Sequence, residues 1–91
     1  MAPYGVPRAL AARVAANSRD FGARFAFGAW QMFVGDWKAA FDNLLEVVLR
    51  DKAEGKPDRE RARQQLIEWI AACPDAETVS HGRRNLGMYL N

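Results

Sequence analysis

One cysteine and one histidine are the first places to look for chemistry in this chain. Cys73 has no second cysteine, so neither an internal disulfide nor a CxxC redox or zinc pair can form. It falls at the end of a helical segment on the apolar side, where a free thiol packs as a small hydrophobe, and it has no neighbouring histidine to make it a nucleophile. His81 has Glu77 and Asn85 four residues to either side, which is neither an acid–base pair nor a metal-ligand spacing, so a solvent-facing ring is expected. There is no Gly-rich phosphate loop, no serine with a base in reach, and no carboxylate pair outside salt-bridge spacing. The expectation is a chain with no catalytic residue, no metal site and no cofactor, and therefore not an enzyme.

The arginines are the other reactive-looking group. Arg59, Arg61 and Arg63 interleave with Asp58, Glu60 and Glu68, the pattern of a solvated helix face with i,i+4 pairs. Over the whole chain thirteen basic residues face eleven acidic ones, a net charge of +2. That balance lacks the concentrated basic footprint of a nucleic-acid binder. A weak nucleic-acid contact through Arg59, Arg61, Arg63, Arg83 and Arg84 is the last-ranked alternative, and salt-sensitive binding would be its mark.

The elements that hold these residues are helical. With 91 residues the chain makes one small domain, 1–91, able to bury about 60–65% of its unfolded surface. Hydrophobic residues make up 49% and charged residues 26%, which is ordinary for a folded chain and not for a disordered one. Apolar spacing has the helical period, and no segment alternates with period two. Helices are expected over about 7–17, 20–34, 36–51, 57–73 and 75–90. Pro7 suits the first turn of the first helix, which puts Leu10, Ala11, Val14 and Ala15 on one face. Asp20, Asp36 and Asp75 are N-cap candidates, and Gly35 suits the left-handed C-terminus of the second helix. The third helix carries a stripe of Trp37, Ala40, Phe41, Leu44, Leu45 and Val48, and the fourth carries Ala62, Leu66, Trp69, Ile70 and Cys73. Pro74 stops the fourth, and Val79, Leu86, Tyr89 and Leu90 are the apolar positions of the fifth. Short connections force such helices into an antiparallel array.

The greasiest stretch, FAFGAWQMFVGDWKAAF over residues 25–41, contains an uncharged run from Phe25 to Gly35 that would span only about 16 Å as a helix, too short for a bilayer. MAPYGVPRAL has no basic region followed by an apolar core, so no signal peptide is expected, and a cytoplasmic location follows.

Helix, Gly-Asp-aromatic turn and helix, with small residues at fixed offsets, resembles a tetratricopeptide repeat. With Gly35 as the turn glycine, Gly28 takes the repeat's small position and Phe27 the large apolar one before it. Ala40 falls on the small residue of the second helix, with Leu44 and Val47 on later core positions. Arg24 and Gln31 stand where the repeat is usually aromatic, and Lys52 where a closing proline is common.

A fuller resemblance, over about 10–91, is to the C-terminal tetratricopeptide region of bacterial thioredoxin-like proteins. An arginine is common there at the position of Arg24. Leu44-Leu45-Glu46 with Arg50-Asp51, Ala62-Arg63-Gln64-Gln65-Leu66, the turn Cys73-Pro74-Asp75 and the closing Arg83-Arg84-Asn85-Leu86 fit its pattern. The resemblance implies an all-α, tetratricopeptide-like superhelix of about five helices, whose first helix is the second helix of an upstream repeat. It also implies a non-catalytic protein-binding module of the co-chaperone kind, holding client polypeptides or meeting a chaperonin. Redox activity does not carry over, because the thioredoxin domain's own residues are absent from this stretch.

Gly28, Gly35, Ala40, Phe27, Leu44 and Trp69 are the expected structural residues. The aromatics of helix two, Phe21, Phe25, Phe27, Trp30 and Phe33, are expected to serve mainly as packing against neighbours, with Trp30 or Phe33 as the alternative exposed patch. A final helix has no following repeat to cover it, so Arg83 and Arg84 with Leu86, Tyr89 and Leu90 form a candidate partner-binding end. Arg24 and Gln31 complete that candidate set. The partner is expected to be a protein, and the rival reading is a self-associating structural domain.

Overall fold

The computed structural model describes residues 6–90, with side chains from Arg8 onward. The expected domain, 1–91, reaches past them at both ends, and the side chain of Pro7 lies outside the described set. Five helices follow one another: α1 (Val6–Ala16), α2 (Phe21–Val34), α3 (Trp37–Arg50), α4 (Pro57–Ala72) and α5 (Ala76–Leu90). Among the described residues there is no strand, and the chain is an all-α helical array as expected.

Each boundary has a local cause. Asp20 accepts a hydrogen bond from the Ala23 N–H at 3.1 Å and so caps α2. Arg13 reaches across from α1 with Nε at 3.0 Å and Nη2 at 3.1 Å from the same carboxylate. That guanidinium, followed by the Ala23 N–H, holds the Asp20 carboxyl below its usual range. At the other end of α2, Gly35 has φ of +88°, a conformation that costs a residue without Cβ little. Its N–H donates to the Met32 carbonyl and that of Asp36 to the Gln31 carbonyl, the paired bonds of a Schellman stop. The chain then turns directly into α3. Asp36 occupies the N-cap of α3 but, contrary to its expected role, its side chain makes no capping bond. Asp75 caps α5 through the Thr78 N–H at 3.2 Å.

Asp51 has a larger job than ending α3. Its carboxylate accepts from the Ala53 N–H at 3.0 Å and from the Arg59 N–H at 2.9 Å, so one buried side chain closes α3, shapes the loop and caps α4. Burial by itself would raise its pKa. The N–H groups of Arg59, Ala53 and Asp58, together with Lys56, outweigh that and bring the carboxyl below its ordinary value.

The core runs along α3. Ala40, Phe41, Leu44 and Val47 are fully buried, with Leu45 and Val48 nearly so, and Ala62, Leu66 and Leu86 close over them. Each large side chain buried in this way contributes about 1.5–3 kcal/mol. Helices α2, α4 and α5 all pack on α3, whereas α4 and α5 touch one another less than either touches α3. The Cα positions extend 39 × 34 × 17 Å, so the slab is about two helices deep. Two glycines set the closest approaches. A Cβ at Gly28 would stand 3.0 Å from Leu44 and 3.4 Å from the Ala40 carbonyl, and one at Gly82 would stand 2.6 Å from the buried Phe41 ring. On α1, Leu10, Ala11 and Val14 are half-buried but Ala15 is exposed. That helix packs chiefly on α2, which needs a narrower stripe than expected.

Candidate protein-interaction surfaces

Two of the expected partner-binding residues turn inward. Arg24 is 8% and Gln31 7% exposed, and both join Asn43 in a chain of hydrogen bonds between α2 and α3. Arg24 Nε donates to the Ser18 carbonyl at 2.8 Å and its Nη1 to Asn43 Oδ1 at 3.0 Å; Asn43 Nδ2 then donates to Gln31 Oε1 at 2.7 Å. Burial lowers the Arg24 pKa, opposed by Glu46 and aided by Arg50. No buried side-chain polar atom among the described residues lacks a partner. Arg24 and Gln31 therefore hold the α1–α2 loop and α2 to α3, and no partner could reach them without unfolding that junction. Asn43 sits on the buried arc between Ala40 and Val47, and a polar residue inside an apolar stripe is the sequence signal that marks it.

The aromatics of α2 divide by face. Phe21, Phe25 and Met32 pack against the core, and the Arg61 guanidinium lies 3.9 Å above the Phe25 ring centroid. Phe27 is half-buried and stacks on Trp30 at 6.3 Å. The rest face outward: Trp30 is 38%, Val34 49% and Phe33 87% exposed. The expectation that this stretch is mainly packing thus holds for one side of the helix and not for the other.

At the other end of the chain the structure separates the paired arginines. Arg83 lines a groove between α4 and α5 with Ile67, Ile70, Leu86, Gly87 and Leu90. Arg84 turns to a polar hollow bordered by Lys38, Asp75, Ser80 and His81. Leu86 is 8% exposed and belongs to the core, so only its edge reaches the groove, and Tyr89 is half-buried against the same core. Neither stands free as expected, because α5 lies directly on α3. Leu90, 37% exposed, does stand free.

His81 is also more engaged than expected. Its Nε2 lies 2.7 Å from Asp42 Oδ1 and its Nδ1 3.2 Å from the Asn85 amide, so the ring ties α5 to α3. Cys73 is partly exposed, its thiol 3.9 Å from the Asp75 carbonyl. Among the described residues no group of three His, Cys, Asp or Glu side chains gathers as for a metal, and no helix is long and apolar enough to cross a membrane.

The remaining arginines of α4 are spent locally rather than pooled. Arg59 Nη2 donates to the Tyr89 and Leu90 carbonyls at 3.3 and 3.4 Å, tying the start of α4 to the end of α5. Arg63 pairs with Glu60, and this guanidinium and the Gln64 amide lower the Glu60 pKa to about 2. Both partners are solvated, so the pair adds little to stability.

A helical hairpin closed by a glycine turn, small residues at its contact and a second pair packed behind it is the geometry of a repeat array. A family model described as tetratricopeptide repeat matches residues 3–91. The chain belongs to the tetratricopeptide repeat family. Comparisons with curated proteins and with solved structures returned no match. Within this array, α2–α3 is the hairpin that carries the glycine turn, and α4–α5 is a second helical pair whose two helices touch one another less. Such repeats are protein–protein interaction modules and are generally non-catalytic. Apolar side chains are exposed on the open α2 face and in the α4–α5 groove, and also at Leu49 and Met88.

Proposed function

We propose that this chain is the recognition part of a co-chaperone: a non-catalytic module that holds non-native polypeptide and presents it to a chaperonin. The thioredoxin-like proteins whose C-terminal region it resembles are associated with the same work. The observation that supports this most is the outward strip on α2, with Phe33 87% exposed beside Trp30 and Val34. Aromatic side chains on a rigid helix bind apolar segments with little loss of their own freedom, and such residues are enriched among those that dominate binding. Exposed strips of this kind mark interaction sites more often than idle surface. A cytoplasmic setting goes with that reading.

On this reading Leu90 and Arg83 provide a second contact, Leu86 and Tyr89 support it from below, and Arg84 stands apart from it. Aggregation of a thermally unfolding reporter enzyme, followed by light scattering, tests the proposal. The expected result is suppression near equimolar ratio, largely lost in the double variant Trp30→Ser/Phe33→Ser while its helical circular dichroism is kept. No suppression at any ratio overturns it. The same strip could instead bind a second copy. A stable dimer by solution mass that Phe33→Ser converts to monomer would replace the co-chaperone reading with a self-associating one.

A further inference from the structure

We propose that the groove between α4 and α5 receives a short amphipathic helix of the partner protein, oriented by a carboxylate that pairs with Arg83. This rests on the chain being a protein-binding module, but it concerns a different surface from the α2 strip. The walls are apolar: Ile67, Ile70 and Ala71 on α4, Leu86 and Leu90 on α5, with Ile67 48% and Leu90 37% exposed. Gly87 forms an open floor, since nothing lies within 4 Å of where its Cβ would be.

The charge pattern selects the occupant. Among the described residues Arg83 is the one charged residue of the lining, and no carboxylate side chain joins it there. Every arginine of α4 is engaged, Arg59 with the Tyr89 and Leu90 carbonyls, Arg61 with Phe25 and Arg63 with Glu60. Arg83 makes no hydrogen bond or ion pair among the described residues, and a spare guanidinium on the rim of an apolar groove favours an acidic group placed beside apolar anchors. The shape points to a helix. The groove exists because α4 and α5 both lean on α3 rather than on each other. From Arg83 to Leu90 is seven residues, so the trough is about 10 Å long, two turns of an occupant with anchors at i, i+3 or i+4, and i+7.

The test uses the full chain and a fluorescein-labelled 14-residue alanine-based helix carrying leucines at i, i+4 and i+7 and one glutamate. Matched peptides replace the glutamate by lysine or the leucines by serine. Fluorescence anisotropy should give saturable binding of the glutamate peptide, about fivefold weaker binding of the lysine peptide, and none of the serine peptide. Arg83→Glu should reverse the order of the two charged peptides, and Gly87→Met, which fills the floor, should abolish both. Equal affinities for the two charged peptides, or an order that ignores Arg83→Glu, overturns the proposal. Binding lost on Trp30→Ser/Phe33→Ser but kept on Gly87→Met also overturns it, while aggregation suppression would still stand and keep the wider reading intact. A dimer abolished by Gly87→Met would assign the groove to a second copy and overturn it as well.

Discussion

The two helical pairs, α2–α3 and α4–α5, are built from similar parts and closed in opposite ways. In α2 the glycine of close approach, Gly28, faces its own hairpin partner, where Leu44 and the Ala40 carbonyl meet it. In α5 the corresponding glycine, Gly82, meets the Phe41 ring of α3 most closely, with Ile70 of its own hairpin partner farther off at 3.6 Å from where its Cβ would be. The first pair is therefore sealed along its length and locked by the Arg24–Asn43–Gln31 chain. In the second, both helices rest on α3 and a groove is left between them. Where a small residue points decides whether a hairpin becomes scaffold or surface.

Breaking the sealed pair should have the largest effect. Asn43→Leu leaves the buried Arg24 Nη1 without its acceptor and Gln31 Oε1 without its donor, and is expected to cost about 3 kcal/mol. In a domain of this size that lowers Tm by on the order of 15 °C, measured by thermal circular dichroism.

Next in size is the joint between the pairs. Asp51→Ala removes the acceptor for both the Ala53 and Arg59 N–H groups and should cost about 2 kcal/mol in denaturant unfolding. The pH dependence follows with a definite sign. Because the folded Asp51 carboxyl lies below its usual value, its contribution is present above the unfolded carboxylate pKa near ~3.9 and is lost as pH falls through the folded value. Asp51→Asn should therefore flatten the fall in stability below about pH 4.

The smallest effects sharpen the comparison within one helix. Gly82→Ala gains about 1 kcal/mol of helix propensity, but the methyl meets a fully buried ring at 2.6 Å, so a net loss of about 1 kcal/mol is expected. Gly87→Ala meets nothing and should instead stabilise by up to about 1 kcal/mol. Opposite signs at two glycines five residues apart would establish that one lies at a seal and the other in an opening.

Much of the sealed half was legible in the sequence. The Gly35 stop, the Ala40 and Leu44 stripe, and the five helices follow from period, capping and turn chemistry, which are local. What escaped was set by orientation. Arg24 and Gln31 look like surface residues on charge and polarity alone; their burial depends on Asn43, one helix away. Leu86 and Leu90 are four residues apart on one helix, and the packing of α5 on α3 buries the first while the second stays exposed. Arg83 and Arg84 are adjacent in sequence but about 100° apart around a helix, which sends them to different surfaces. His81 found its partner in Asp42 on α3, beyond the i±4 neighbours that the sequence offers. A glycine inside an otherwise helical stretch, as at Gly82, is the kind of sequence signal that accompanies a close contact.

The most direct test of where recognition resides is amide chemical-shift mapping of the labelled chain against a reduced, carboxymethylated and permanently unfolded protein. The expected result is perturbation of Trp30, Phe33 and Val34 on α2 and of Ile67, Arg83, Gly87 and Leu90 at the groove, with Arg24, Gln31 and Asn43 unmoved. No perturbation at saturating ratio, or shifts confined to the hollow around Ser80 and Arg84, would contradict it.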